Sequence, residues 1–134
     1  MSSEGFNPHF DIDLEKGKVG EESIKDFLHG SKHEVKADAK VSETGNFYVE
    51  TWQWEGVEAN AYPSGINVTE SDYWHWSSPT GKGGIWIETE ALKEMLSETD
   101  YRVGKQTITN EDTNASKGRL VPLNHVLRKL GFVQ

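Results

Sequence analysis

Residues His33 to Gln53, HEVKADAKVSETGNFYVETWQ, decide how this chain is read. In the first run Val35, Ala37, Ala39 and Val41 alternate with Glu34, Lys36, Asp38 and Lys40. That period-two pattern predicts a strand with its small apolar residues towards a core. The second run, Phe47 to Trp54, is rich in aromatic and β-branched residues and predicts another strand. Ser42 to Asn46 lies between them as a turn, with Gly45 free to take a positive φ. A hairpin turning near Thr44 sets Asp38 opposite Glu50 and Lys36 opposite Trp52. Like charges directly across a strand pair are destabilising. Two facing carboxylates with a lysine one step along therefore suggest a site for a divalent cation and an anionic substrate.

Composition bounds what surrounds this segment. A chain of 134 residues suits one domain, residues 1–134, with a modest core. Hydrophobic residues at 34% and charged residues at 27% make it polar without the composition of a disordered chain. The absence of cysteine excludes a disulfide framework and a thiolate metal site. No apolar run approaches the roughly 20 residues of a membrane span. The first residues, MSSEGFNPHFDIDLEKG, lack the basic and apolar regions of a signal peptide, so the cytoplasm is the expected compartment. A net charge of −8 argues against binding nucleic acid through bulk electrostatics. It leaves a nuclease open, because metal-ligating carboxylates count as negative and a bound cation reverses the local sign.

The remaining chain reads as alternating elements. Residues 19–30 carry Val19, Ile24, Phe27 and Leu28 at helical spacing, with Gly30 as the stop. Glu21 falls on the inward face of that helix at its N-terminal end. Its plain role is to favour the helix dipole; its sharper role is to join a carboxylate pair. Pro63-Ser64-Gly65 marks a turn, and Thr69 with Asp72 has capping-box spacing for a short helical turn. Strands are predicted at Tyr73–Trp76, Ile85–Ile87 and Tyr101–Ile108. Helices are predicted from Glu90 to about Ser97, with Thr89 as N-cap, and after Pro122, with Gly131 as the stop. Glu111 to Gly118 reads as a polar loop. The fold class is mixed α/β (α+β), with a central mixed sheet flanked by helices.

A close carboxylate pair has three readings. One acid stays protonated, as in acid hydrolases. Both are solvated on an outer sheet face, which is common in antiparallel sheets. Or both hold Mg²⁺ or Mn²⁺, which prefer oxygen ligands. Lys36 favours the third, since a cation beside the metal can hold a phosphate oxygen or orient the attacking water.

Here the sequence resembles the PD-(D/E)XK nuclease superfamily, which includes restriction endonucleases and Holliday junction resolvases. The residues that carry the resemblance are Gly20-Glu21, then EVKAD, TGNFYVE and PSGINVTESDYW, within about residues 11–76. They look like phage-encoded nucleases of the resolvase-like branch. The resemblance implies a restriction-endonuclease-like core and a Mg²⁺- or Mn²⁺-dependent DNA endonuclease acting on duplex or branched DNA. It is compatible with a homodimer, because symmetrical cutting of two strands needs two sites; a phage protein would work in the host cytoplasm. Asp38 and Glu50 match the metal-binding acids, and Glu21 matches the first-helix glutamate. One departure is the lysine two residues after the second acid, where this chain has Trp52. Lys36 takes its place if it reaches the same point from the neighbouring strand. The carbonyl of Thr51 corresponds to a further metal ligand. A second parse takes Glu34-Val35-Lys36 as the E-x-K element, with Asp11 or Asp13 as the preceding acid.

Two other function classes stand beside the nuclease. One is a nuclease-fold module of phage origin that binds nucleic acid or protein without catalysis. The other is an acidic mimic of DNA. Among the remaining residues, the five histidines show no HxH or HxxxH spacing, which speaks against a zinc site. Trp52, Trp54, Trp74, Trp76 and Trp86 can stack on bases, but core packing is the more frequent use of such residues. Lys82, Lys105, Lys117 and Arg119 are candidate phosphate contacts, with solvated surface the more frequent role.

Overall fold

A computed structural model describes residues 22, 25, 27–38, 40–109 and 113–134. The chain divides into two compact units, Met1–Ser31 and Lys32–Gln134. In the first, Glu22, Lys25, Phe27 and Leu28 are helical, and His29 donates its N–H to the Lys25 carbonyl at 2.9 Å. Gly30 follows with φ 74°, the left-handed conformation that ends a helix. The helix predicted over 19–30 is thus seen at its C-terminal end. Leu28, read as inward, is 66% exposed. Glu21, Ile24, Asp11 and Asp13 lie outside the described residues.

The second unit is a mixed α/β fold, with two sheets and three helices among the described residues. Its strands are β1 (His33–Ala37), β2 (Asn46–Glu55), β3 (Tyr62–Pro63), β4 (Tyr73–Ser77), β5 (Gly84–Glu88), β6 (Val103–Thr109) and β7 (Thr113–Pro122). Its helices are α1 (Val41–Thr44), α2 (Thr89–Glu98) and α3 (Leu123–Lys129). A mixed three-stranded sheet has the order β1-β4-β5, with β1 parallel to β4. An antiparallel four-stranded sheet has the order β3-β2-β7-β6.

The predicted hairpin between the first two strands does not form. β1 pairs with β4, and β2 pairs with β7 and β3, so the partner of Glu50 is Gly118 rather than Asp38. The segment Ser42 to Asn46, read as a hairpin turn, does not join paired strands. It folds into α1, which Gly45 closes at φ 73° by donating its N–H to the Val41 carbonyl at 2.8 Å. A parallel partner needs a connection of a dozen or more residues, and the chain between β1 and β4 supplies it.

The face that β1 buries also differs from expectation. On β2, Phe47 and Val49 are buried. On β1 the parallel register sets Glu34 beside Trp74 and Lys36 beside Trp76, the two buried tryptophans of β4. Alternation then turns Val35 and Ala37 to the other face, where Val35 is 61% exposed. The predicted inward face of β1 is therefore its outward one. Ala39, the next residue of that predicted face, lies outside the described residues.

The core joins both sheets and the two longer helices. Phe47 stacks on Trp76 with centroids 4.1 Å apart and planes 8° from parallel. Around them lie Val49, Trp74, Ile87 and Val121, with Leu92 and Met95 from α2 and Val126 from α3. Thr89, read as the N-cap of α2, is its first residue and is buried, its hydroxyl 3.1 Å from that of Ser71. The capping-box turn at Thr69–Asp72 is absent. A 3-10 turn sits earlier, at Gly65–Asn67, and Asp72 instead accepts the Lys32 N–H at 2.9 Å. The polar stretch Thr113 to Gly118, read as loop, is the first part of β7 and is bonded on both edges. The described residues include no helix long and apolar enough to cross a membrane.

Candidate active site

The outer side of β2 and the inner side of β1 bound two adjoining cavities. The larger, about 590 Å³, is lined by Glu34, Lys36, Glu50, Gln53, Tyr62 and Ser64 among others. The smaller, about 310 Å³, is lined by Lys36, Asp38, Lys40, Tyr48, Glu50 and Gln106 among others. Lys36 and Glu50 belong to both walls. Three of the four predicted site residues thus gather at this place; the fourth, Glu21, lies outside the described residues.

Each arrives by its own local device. Lys36 is held from two sides: its Nζ is 3.0 Å from Glu34 Oε1 and 5.5 Å from the centroid of the Trp74 ring. The alkyl stem can cover the indole while the ammonium keeps its carboxylate and its access to water. Both side chains are over a third exposed, so the pair adds little to stability and leaves the lysine available.

Glu50 sits at a break in the ladder. The register between β2 and β7 slips between Glu50 and Trp52, leaving Thr51 as the extra residue of a bulge. Glycines crowd the main chain there. A Cβ on Gly118 would strike the Val49 carbonyl, and one on Gly65, already at φ 56°, would strike that of Glu50. Only residues without side chains allow the backbone to pack this closely. Among the described residues the Glu50 carboxylate has no hydrogen-bond or ion-pair partner. Its charge is felt by Tyr48, whose phenol is pushed above its ordinary pKa first by burial, then by Glu50. The bond between the Tyr48 hydroxyl and Ser116 Oγ, 2.7 Å long, acts the other way.

Asp38 is differently employed. Its Oδ2 accepts the Tyr48 N–H at 2.9 Å and its Oδ1 accepts the Lys40 N–H at 3.1 Å. The carboxylate ties the end of β1 to the side of β2 and opens the turn into α1. It lines the smaller cavity, but both oxygens are occupied by the chain's own backbone. The Thr51 carbonyl is likewise taken, by the N–H of Ser64 at 2.9 Å and the side-chain amide of Asn67 at 2.8 Å. That overturns its reading as a free metal ligand.

Trp52 lines neither cavity, and its cross-strand neighbours are Lys117 and Pro63. Lys36 does not lie opposite it, but lines the same cavities as Glu50 from the other sheet. Among the described residues no three His, Asp or Glu side chains gather as a metal cluster. Mg²⁺ needs no such cage, since one or two carboxylates suffice when water and phosphate oxygens fill the other positions. Glu34 and Glu50 both line the larger cavity, Glu34 paired with Lys36 and Glu50 unpaired among the described residues, while both oxygens of Asp38 are engaged.

Sequence reasoning missed Gln53, Tyr62, Ser64 and Gln106 as cavity residues. The one signal was Pro63-Ser64-Gly65, which marks a turn but does not say that the turn closes over Glu50. Comparison with protein-family models, curated proteins and solved structures finds no match for this chain.

Proposed function

We propose that the protein is a Mg²⁺- or Mn²⁺-dependent DNA endonuclease whose working residues are Glu34, Lys36 and Glu50. The observation that supports this best is that Lys36, paired with Glu34, lines one open cavity together with Glu50 of the other sheet. It favours the parse in which Glu34-Val35-Lys36 is the E-x-K element. In that parse the preceding acid in the sequence is Asp11 or Asp13, both outside the described residues. Asp38 then shapes the site by fixing Tyr48 and the end of β1 rather than by touching metal.

In this reading Glu34 and Glu50 hold the cation, which when bound lowers the pKa of water and offsets charge on the phosphate. Lys36 contacts a non-bridging phosphate oxygen and stabilises the charge that grows as water adds to phosphorus and the sugar oxygen leaves. The restriction-endonuclease-like core and the kinship with resolvase-like phage enzymes belong to the same proposal, as does a homodimer for cutting two strands.

The test is incubation with single-stranded, duplex and branched DNA, with and without Mn²⁺. Cleavage that requires metal, falling about 10²- to 10³-fold in Lys36→Met, is the expected result. Glu34→Gln and Glu50→Gln should each also lose the thermal stabilisation that Mn²⁺ gives the unaltered protein. No cleavage of any substrate, with melting indifferent to metal, would overturn the proposal. DNA binding that persists in that case, without metal, would identify a non-catalytic binding module.

A further inference from the structure

We infer that the larger cavity seats an unpaired nucleobase stacked on Tyr62, with its polar edge towards Gln53. The substrate is then a strand that is single or splayed out of its duplex at the cleavage position. This inference rests on the nuclease reading and narrows its substrate.

Tyr62 stands in β3, an edge strand of two residues, directly across from Gln53 of β2. Both line the cavity that holds Glu34, Lys36 and Glu50. The ring is 45% exposed, and among the described residues neither ring nor hydroxyl has a partner. An aromatic face left open at the mouth of a charged cavity suits a base, since stacking accepts every base alike. Gln53 adds one donor and one acceptor group for a base edge.

The cavity volume lies in the range of small-molecule sites. A base inside a continuous duplex has both faces stacked already, so contact with Tyr62 requires unstacking, which costs least where pairing is absent. Trp52 does not compete for this role, because it lines neither cavity and has Lys117 Nζ 5.8 Å from its ring.

The experiment measures metal-free binding of three probes to the full chain: a single strand, a fully paired duplex, and a duplex with one unpaired 2-aminopurine. The unaltered protein and Tyr62→Phe should quench the 2-aminopurine on binding. Tyr62→Leu should abolish the quenching and weaken binding of the single strand and the unpaired duplex roughly five- to hundredfold. Its affinity for paired duplex and its melting temperature should not change, since the ring is exposed. Unaltered quenching in Tyr62→Leu, or an equal loss for all three probes, would overturn the subsite. Cleavage with Mn²⁺ is read in parallel. Normal cutting of unpaired DNA by Tyr62→Leu removes the subsite and leaves the nuclease standing. Tyr62-dependent quenching without cutting by the unaltered protein keeps the base site and removes the nuclease.

Discussion

β1 and β2 obey the same alternation and put it to opposite uses. On β2 the apolar residues Phe47 and Val49 are buried, while Tyr48 and Glu50 face the cavities. On β1 the apolar residues Val35 and Ala37 are exposed, while Glu34 and Lys36 turn towards the buried tryptophans of β4. Period two says that a strand has two faces; it does not say which one the fold will bury. β2 holds the fold together through its core face. β1 gives its inward face to a charged pair, a choice that packing alone would not make.

That contrast can be broken most strongly on β2. Phe47→Ala removes the ring stacked on Trp76 and should cost about 3–5 kcal/mol. Val35→Ala on β1 should stay within about 0.5 kcal/mol, as exposed positions do. Denaturant melts of the two variants measure the difference directly, and comparable losses would contradict the face assigned to β1. Next comes the joint between the strands. Asp38→Ala leaves the Tyr48 and Lys40 N–H groups without their carboxylate and should cost about 1–3 kcal/mol, read in the same melts. Asp38→Asn, which keeps an acceptor oxygen, should recover part of that loss.

The smallest effect sharpens the picture of Glu50. Burial and the Glu50 charge both hold the Tyr48 phenol above its ordinary pKa. Ionisation is therefore harder in the folded protein than in the unfolded chain. The stability Tyr48 contributes is complete below the unfolded value near 10 and declines as pH rises past it. Glu50→Gln should move the Tyr48 titration down but not to the ordinary value, because burial is the larger cause. Phenolate absorbance during an alkaline titration follows this shift.

Much of the frame was legible because its signals are local. The apolar spacing of Leu92, Met95 and Leu96 placed α2 within a residue of its ends, and Leu123, Val126 and Leu127 did the same for α3. Phe47 to Trp54 announced β2 through its own side chains. β7 was hidden because Ser116 and Gly118 look like loop residues. Both are buried, and they fit because a strand bonded on both edges beside a bulge has no room for larger groups. The partner of β1 was hidden for another reason: parallel pairing with β4 depends on residues about 40 positions away. The candidate site was legible as a set of residue types, with Lys36, Asp38 and Glu50 brought to one place. Their division of labour depends on which carboxylates the backbone has already claimed.

The carboxylate of Asp38 has a consequence for self-association. Tyr48 lies on a stretch of β2 that β3 does not cover, since β3 pairs only with Trp52 and Gln53. An open N–H along such an edge is a template on which a strand from another molecule can add. By accepting the Tyr48 N–H, Asp38 closes that template from within the chain. A side chain in the place of a neighbouring strand thus removes one donor on which edge-to-edge pairing at this position could start.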